Sequence, residues 1–563
     1  MYEMHIPTFS PDGTFDGALT KLSYLLALGI TTIELMPVTE DLETAWGYSL
    51  VHLWAVSSRL GGYDALRRFV NGAHRLGLEV ILDVVYNHDD GRTLLYGLDR
   101  CESNMDKESL SKAYCPSNGF VDPIPCDFGS YFYSDERQMT PWGPRFDYSS
   151  GTVYSVLVSN LRYWVEEVGV DGLRINSTIC VRKTEGTDNE CWQTNALDND
   201  DGSKFLRDSA NYLSSLGKLS IAEDLQGDAA ITADDGLGFD AQWDDSLYHG
   251  VNHAFYALAN EAALDFDPFS KIFTSLSAQC ASGGKWISYT ETHDIAATHH
   301  RTAFLGSNYV QDAKHLVSAQ LFPLSIAMLS CGTPMLFQGQ EIGEMREFDF
   351  TKPPPFHWDL QADLMFSDSG SICSLPKDPK WELFRRTSEM VHAYKQIPAL
   401  WSSEIGRIKG FFPALVACFT RGAGGNIAMI IWNLDQETVS ATLEAPLPGS
   451  WTVVFDSTAP SGGSSLQSYE SESAGILSNL VSLSVPAMST LILAPGDMVN
   501  VGDLLPKASP GCSKMALAAV DISRSMYFDQ TWWRSHMSLE LFPFWDSLDA
   551  LGSVYGDFPH LSM

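Results

Sequence analysis

Basic residues are scarce in this 563-residue chain. Only 36 Lys and Arg stand against 70 Asp and Glu, a formal net charge of −34, so a polyanion meets long-range repulsion and nucleic acid is not an expected ligand. Long apolar runs are absent too. Nothing approaches the roughly 20 residues that cross a bilayer, and residues 1–10 (MYEMHIPTFS) lack the basic start and apolar centre of an export signal. The expectation is a cytoplasmic protein with no membrane contact. The 10 cysteines (Cys101, Cys115, Cys126, Cys180, Cys191, Cys280, Cys331, Cys373, Cys418 and Cys512) form no CxxC pair and no Cys/His ligand spacing. Neither a zinc site nor a dense disulfide framework is expected, and the default reading is reduced, partly buried thiols. No Gly-rich phosphate loop follows a strand in a convincing context, so no organic cofactor is implied.

What is present is a globular composition, 45% hydrophobic and 19% charged, at a length that predicts two or three domains. Short β-branched runs alternate with helix-patterned stretches. The strand candidates are YEMHI (2–6), TTIELMPV (31–38), LEVILDVVYNH (78–88), DGLRIN (171–176), LSIAED (219–224), FDAQW (239–243), WISYTETHD (286–294) and GTPMLFQGQ (332–340). Segments such as 64–77 and 153–169 carry apolar residues at three- and four-residue spacing. Eight strands separated by helices predict a parallel α/β architecture, a closed barrel or an open doubly wound sheet. Polar residues at the C-terminal ends of several strands favour the (β/α)8 barrel, which gathers its site there. After about residue 400, short apolar strands separated by Gly/Ser/Pro turns predict an all-β sandwich. The expected domains are a barrel over 1–399, a β-sandwich over 400–496, and a tail at 497–563 with no assigned structure. The stretch APSGGSSLQSYESES (459–473) reads as a mobile loop within the sandwich.

Four strand-end segments carry the chemistry: DVVYNH (83–88), DGLRIN (171–176), AED (222–224) and THD (292–294). Their order and intervals resemble the four sequence regions of glycoside hydrolase family 13, the α-amylase superfamily. The opening YEMHIPTFSPDGTFDGALTKLSYLLALGITTIELMPV, WGY (46–48), TPWGP (140–144) and GTPMLFQGQE (332–341) are similar to 1,4-α-glucan branching enzymes and maltooligosyltrehalose trehalohydrolases. The resemblance covers roughly residues 1–400 in detail and 400–495 by architecture. Such relatives usually carry an N-terminal carbohydrate-binding sandwich that has no counterpart here, so a shortened or incomplete chain is expected.

The resemblance implies an α-1,4-glucan partner (glycogen, starch or maltooligosaccharide) and retaining chemistry, in which one carboxylate attacks the anomeric carbon and a second carboxyl protonates the leaving oxygen. It assigns Glu223 as the acid/base and Asp294 as the transition-state stabiliser. Tyr48, Asp83, His88, Arg174 and His293 line the sugar site, and Arg174, two residues before the nucleophile position, is expected to hold that side chain ionised. The nucleophile position itself holds Asn176 where the family keeps aspartate, and an amide is a poor nucleophile. Three readings follow: a branching-type enzyme with an altered residue, a hydrolase of the trehalohydrolase or amylase kind, and a non-catalytic glucan-binding protein. NST at 176–178 also fits the N-glycosylation pattern, but its place at a predicted strand end argues against that use.

Overall fold

The computed structural model describes residues 1–41, 46–49, 51–91, 95–96, 131–184, 191–193, 195–259, 269–310, 315–358, 365–366, 372–374, 379–411, 415–459, 468–470, 472–473 and 479–496. The tail at 497–563 lies outside them. The predicted strand runs form parallel strands β1 (Tyr2–Met4), β2 (Thr32–Leu35), β3 (Glu79–Val85), β4 (Gly172–Asn176), β5 (Leu219–Glu223), β6 (Ala241–Asp244), β7 (Trp286–Ser288), β8 (Thr333–Pro334) and β9 (Leu336–Phe337). Each pairs with its neighbour in this order from β1 to β8, while β9 pairs with β1. Strands β8 and β9 are one extended run interrupted at Met335, whose N–H donates to the Ser288 carbonyl at 2.9 Å while Leu336 N–H donates to that of Met1 at 3.1 Å. The sheet thus returns to its first strand and closes as an eight-stranded barrel.

Period-two geometry decides what faces the barrel axis. Ile81, Ile221, Ala241, Trp243, Ile287 and Met335 pack as an interior cluster, whereas Val80, Leu82, Val84, Leu173 and Ile175 join the larger core shared with the helices. Two residues beyond Ile81 and Ile221, toward the C-terminal strand ends, the interior positions become Asp83 and Glu223. Arg174 takes the same face of β4, between the outward Leu173 and Ile175. One alternation therefore builds both the dry barrel centre and the polar layer above it.

Beyond the helix Pro379–Gln396, antiparallel strands follow: β10 (Ile405–Phe411), β11 (Val416–Ala423), β12 (Asn426–Asn433), β13 (Val439–Ala445), β14 (Ser450–Asp456), β15 (Ser468–Glu470), β16 (Glu472–Ser473), β17 (Asn479–Val485) and β18 (Ser489–Pro495). A six-stranded sheet (β10-β11-β12-β18-β14-β15) faces a three-stranded one (β13-β17-β16) across a core that includes Val416, Ile431, Leu443 and Val485. This is the all-β sandwich. The other face of the large sheet packs on the barrel, where Trp432 meets Phe273 and Phe322 at ring distances of 6.1 and 5.8 Å. Burial on both faces explains why β11 and β12 read as continuous apolar runs, while β13, covered on one face, alternates over its first residues.

Two expectations need correction. Within the stretch read as a mobile loop, Ser468–Glu470 pairs with β14 and Glu472–Ser473 with β17; residues 460–467 and 471 lie outside the described residues. The expectation of reduced thiols fails for Cys180–Cys191 and Cys280–Cys331, which are disulfide-bonded with Cα atoms 5.1 and 5.0 Å apart, a separation a bridge spans without strain. Sequence separations of 11 and 51 residues leave no local signature, because the fold, not the spacing, brings these pairs together. Cys418 is buried, and Cys101, Cys115, Cys126 and Cys512 lie outside the described residues. Among the described residues no helix is long and apolar enough to cross a membrane.

Gly172 starts the strand that carries Arg174 and Asn176. A Cβ there would stand 2.5 Å from the Leu219 carbonyl oxygen and 2.7 Å from Ile81 Cδ1, so β4 could not keep its distance from β5. Gly172→Ala is expected to cost about 1–3 kcal/mol of unfolding free energy in urea; an unchanged midpoint would contradict this tight approach.

Candidate active site

The polar layer at the C-terminal mouth of the barrel is organised around Arg174. Its side chain is fully buried, with Nη1 donating to Asp83 Oδ2 at 2.7 Å and Nη2 lying 3.0 Å from Glu223 Oε2. The guanidinium also sits 4.1 Å from the Trp243 ring centroid, a cation–π contact in a site screened from water. Burial opposes its charge, but Asp83 and Glu223 beside it outweigh that and hold its pKa well above the ordinary arginine value. Tyr48 Oη donates to the same Asp83 oxygen at 2.6 Å. Burial raises the Asp83 pKa, against Arg174 and this hydrogen bond. Glu34, one strand away on β2, is buried too, and desolvation drives its carboxyl well above the usual range despite Arg174.

Asn176 ends β4 with its side-chain amide in direct contact with Glu223. Its Nδ2 donates to Glu223 Oε2 at 2.8 Å, while its Oδ1 accepts from Asn87 Nδ2 at 2.8 Å. Asn87 Oδ1 in turn accepts from His88 Nδ1 at 2.6 Å. Both ends of the Asn176 amide are therefore occupied in a relay that runs His88, Asn87, Asn176, Glu223. Two carboxylates would avoid so close an approach unless they shared a proton; an amide and a carboxylate attract. Glu223 Oε2 also accepts from Ser177 N–H at 2.7 Å. Ser177 reaches it from a left-handed conformation, φ +43°, which costs a non-glycine residue about 1 kcal/mol. Burial nevertheless pushes Glu223 up to about 7, against Arg174 and with help from Asp294, so near neutral pH it is poised between its two protonation states. Burial pulls His88 down to about 4, which keeps its ring neutral.

The expected role of Arg174 needs correction at this point. Its nitrogens address Asp83 and Glu223, and the Asn176 amide carries no charge for it to hold, its Oδ1 accepting from Asn87 instead.

Residues 293 and 294 come from the start of the short helix His293–Thr298, capped by Thr292 Oγ1, which accepts from Ile295 N–H. His293 stacks on Tyr48 with centroids 5.2 Å apart and meets the edge of Trp46 at 5.0 Å. Its Nδ1 pairs with Glu3 Oε1, its backbone N–H donates to Glu3 Oε2 at 3.2 Å, and Nε2 lies 3.4 Å from Asp294 Oδ2. Burial opposes protonation here, but Asp294 and Glu3 overcome it and raise His293 to about 9. The Asp294 side chain is half exposed and opens the site to solvent. All eight residues named from the sequence thus gather at one barrel mouth. Sequence reasoning did not single out Glu3, Glu34, Asn87, Trp46 or Trp243. The first two stand at inward positions of strands that read as ordinary core, and Asn87 was visible within DVVYNH without a role.

The raised histidine has a consequence for stability. A group whose folded pKa, about 9, exceeds its reference value of 6.5 stabilises the fold fully below pH 6.5, and that contribution is lost as pH rises to 9. The loss is expected to be about 3 kcal/mol across this window, measured by urea denaturation at stepped pH. Glu3→Gln removes the buried counter-charge, so the His293 imidazole resonance is expected to titrate about one unit lower or more; an unmoved midpoint would rule out Glu3 as its partner.

Comparison with known proteins gives the lineage of this geometry. The family model for the α-amylase catalytic domain matches residues 7–353, and that for the α-amylase C-terminal all-β domain matches residues 414–496. The chain is 30% identical over 414 residues to a malto-oligosyltrehalose trehalohydrolase from Saccharolobus solfataricus, covering 66% of this chain and 64% of that one. A trehalohydrolase from Arthrobacter ramosus is 28% identical, covering 63% and 58%. A 1,4-α-glucan branching enzyme from Leifsonia xyli subsp. xyli is 26% identical over 493 residues, covering 83% and 60%. The chain thus spans between 58% and 64% of the length of these relatives. With the closed barrel, the β-sandwich behind it and a family model matching more than half its residues, the chain belongs to the α-amylase family.

Proposed function

We propose that this protein binds α-1,4-glucan in the barrel mouth through a branching-type site whose bond-breaking step is disabled at residue 176. The observation that carries the reading is the amide of Asn176, with Nδ2 on Glu223 and Oδ1 on Asn87. In the retaining reaction, a carboxylate oxygen at this position forms a bond to the anomeric carbon as the glycosidic C–O bond breaks and the acid/base protonates the departing oxygen. A 6-hydroxyl or water then attacks the anomeric carbon as the bond from that carbon to the carboxylate breaks, losing its proton to the same acid/base. Asn176 carries no negative charge to open the first step. Glu223, raised to about 7, has the protonation behaviour of the acid/base. Asp294 is assigned to the sugar hydroxyls as the ring distorts, His88 and His293 to hydrogen bonds with the substrate, and Tyr48 to the attacked sugar. Asp83 and Arg174 hold the layer beneath them in place.

Transfer is placed ahead of hydrolysis because the similarity to a branching enzyme extends over 83% of the chain, against 66% for a trehalohydrolase. The hydrolytic reading has its own support in the 30% identity to a trehalohydrolase. The two disulfides fit an oxidising compartment and argue against the cytoplasmic expectation.

Asn176→Asp is expected to raise turnover on amylose by about 10⁴-fold or more, and Glu223→Gln on that background to abolish the gain. A shift of the iodine stain without new reducing ends marks transfer, and new reducing ends mark hydrolysis. Equal activity with and without the aspartate would remove residue 176 from the chemistry.

A further inference from the structure

Tryptophan is costly to leave in water, yet Trp142 and Trp192 are 47% and 41% exposed, while Trp46 and Trp243 beside the same site are buried. The two exposed rings touch each other, with centroids 6.1 Å apart and planes inclined at 45°. Trp142 also lies 5.8 Å from the ring of His88, the first member of the relay that ends on Glu223. The pair therefore continues the barrel mouth outward as an apolar ledge. An exposed aromatic surface contiguous with a polar cleft is characteristic of a ligand-binding surface.

Both rings are held from behind. Trp142 sits at the tip of a hairpin, Met139–Thr140 paired with Gly143–Pro144. Thr140 Oγ1 accepts from the N–H groups of Trp142 and Gly143 at 3.3 and 3.2 Å. Asp89 N–H donates to the Pro144 carbonyl at 2.9 Å. A Cβ on Gly143 would stand 2.0 Å from the Asp89 carbonyl oxygen, so only glycine lets this hairpin lie against the segment after β3. Trp192 follows Cys191, whose disulfide to Cys180 fixes it to the helix Thr178–Arg182, immediately after Ser177. Arg145, next along the chain from the hairpin, is buried, with Nη1 donating to the Arg137 carbonyl at 2.9 Å and Nη2 3.5 Å from Cys191 Sγ. The two tryptophans thus ride on segments tied to each other and to the end of β4.

We propose that Trp142 and Trp192 form a sugar-binding ledge that takes glucose units of an α-linked glucan beyond those held in the barrel mouth, and that the Cys180–Cys191 bond sets the position of Trp192. The proposal rests on the glucan reading above and adds the part of the surface that recognises chain length. The apolar C–H face of a pyranose ring packs on an indole face, and each such contact removes apolar area from water. Successive rings of an α-1,4 chain turn relative to one another, so two platforms inclined at 45° suit a curved chain; a flat β-1,4 chain calls for coplanar platforms.

Calorimetric titration of the full chain with maltotriose, maltoheptaose and cellohexaose tests this. The unmodified protein is expected to bind maltoheptaose more tightly than maltotriose and to ignore cellohexaose. Trp142→Ala and Trp192→Ala are each expected to weaken maltoheptaose binding by about tenfold, equivalent to about 1.4 kcal/mol, with maltotriose binding unchanged; Trp401→Ala, exposed but outside the ledge, changes neither. The double variant Cys180→Ser/Cys191→Ser, checked for folding by its melting temperature, is expected to follow Trp192→Ala. If the unmodified protein prefers the longer sugar and both ledge variants keep that preference, the ledge is overturned and the glucan reading stands. Binding of maltoheptaose by the folded cysteine variant at full affinity overturns the anchoring role of the disulfide. Failure of the unmodified protein to bind any maltooligosaccharide overturns the glucan reading and the ledge with it.

Discussion

The site depends on one buried cation. Arg174 lies between Asp83 and Glu223 with no exposed side-chain surface, and Glu34 stands close enough to feel its charge. Removing such a group leaves carboxylates in a dry interior without compensation, a loss of the order of 3–5 kcal/mol. The arrangement follows from strand periodicity, since the interior face that carries Ile81 and Ile221 lower in the barrel carries Asp83 and Glu223 at its mouth. His293 provides a second centre of positive charge, held by Glu3 from β1 and Asp294 beside it. Two cationic groups thus organise five acidic ones, and the protonation of Glu223 and His293 is set by that balance.

Asn176 is consistent with this balance in a way that a simple lesion need not be. An aspartate there would place another anion against Glu223 and push its proton affinity higher. The amide instead donates to Glu223 and accepts from Asn87, so every polar atom of its side chain is satisfied. Under the proposed reading this amide withholds the charge that opens glycoside cleavage, while its hydrogen bonds keep the site in order. The barrel mouth is thus held together without the repulsion of two adjacent carboxylates.

Much of this was legible in the sequence, for physical reasons that differ by element. The barrel strands announce themselves because buried parallel strands are short apolar runs between helices, and their site residues because polar groups interrupt those runs at the C-terminal ends. β13 and β10 carry no such signature: one is half polar and the other has Gly and Lys within it, so neither forms an apolar run. The two disulfides were illegible because their partners meet only in three dimensions. Glu3 and Glu34 were passed over for a related reason. A single carboxylate in a core-like strand looks like an error of pattern until the cation it faces, on an element far along the chain, is brought to it by the closed barrel. Trp142 stands within TPWGP, but its contact with Trp192 joins two segments far apart in the chain and could not be read from either.

The most direct test of the account is the intact mass of the protein after incubation with a 5-fluoro α-glucosyl fluoride, which forms a slowly hydrolysed bond to a catalytic carboxylate. The unmodified chain is predicted to keep its mass, and the Asn176→Asp chain to gain one fluoroglucosyl group on the peptide that contains residue 176. A covalent sugar on the unmodified chain would contradict the claim that Asn176 silences the site.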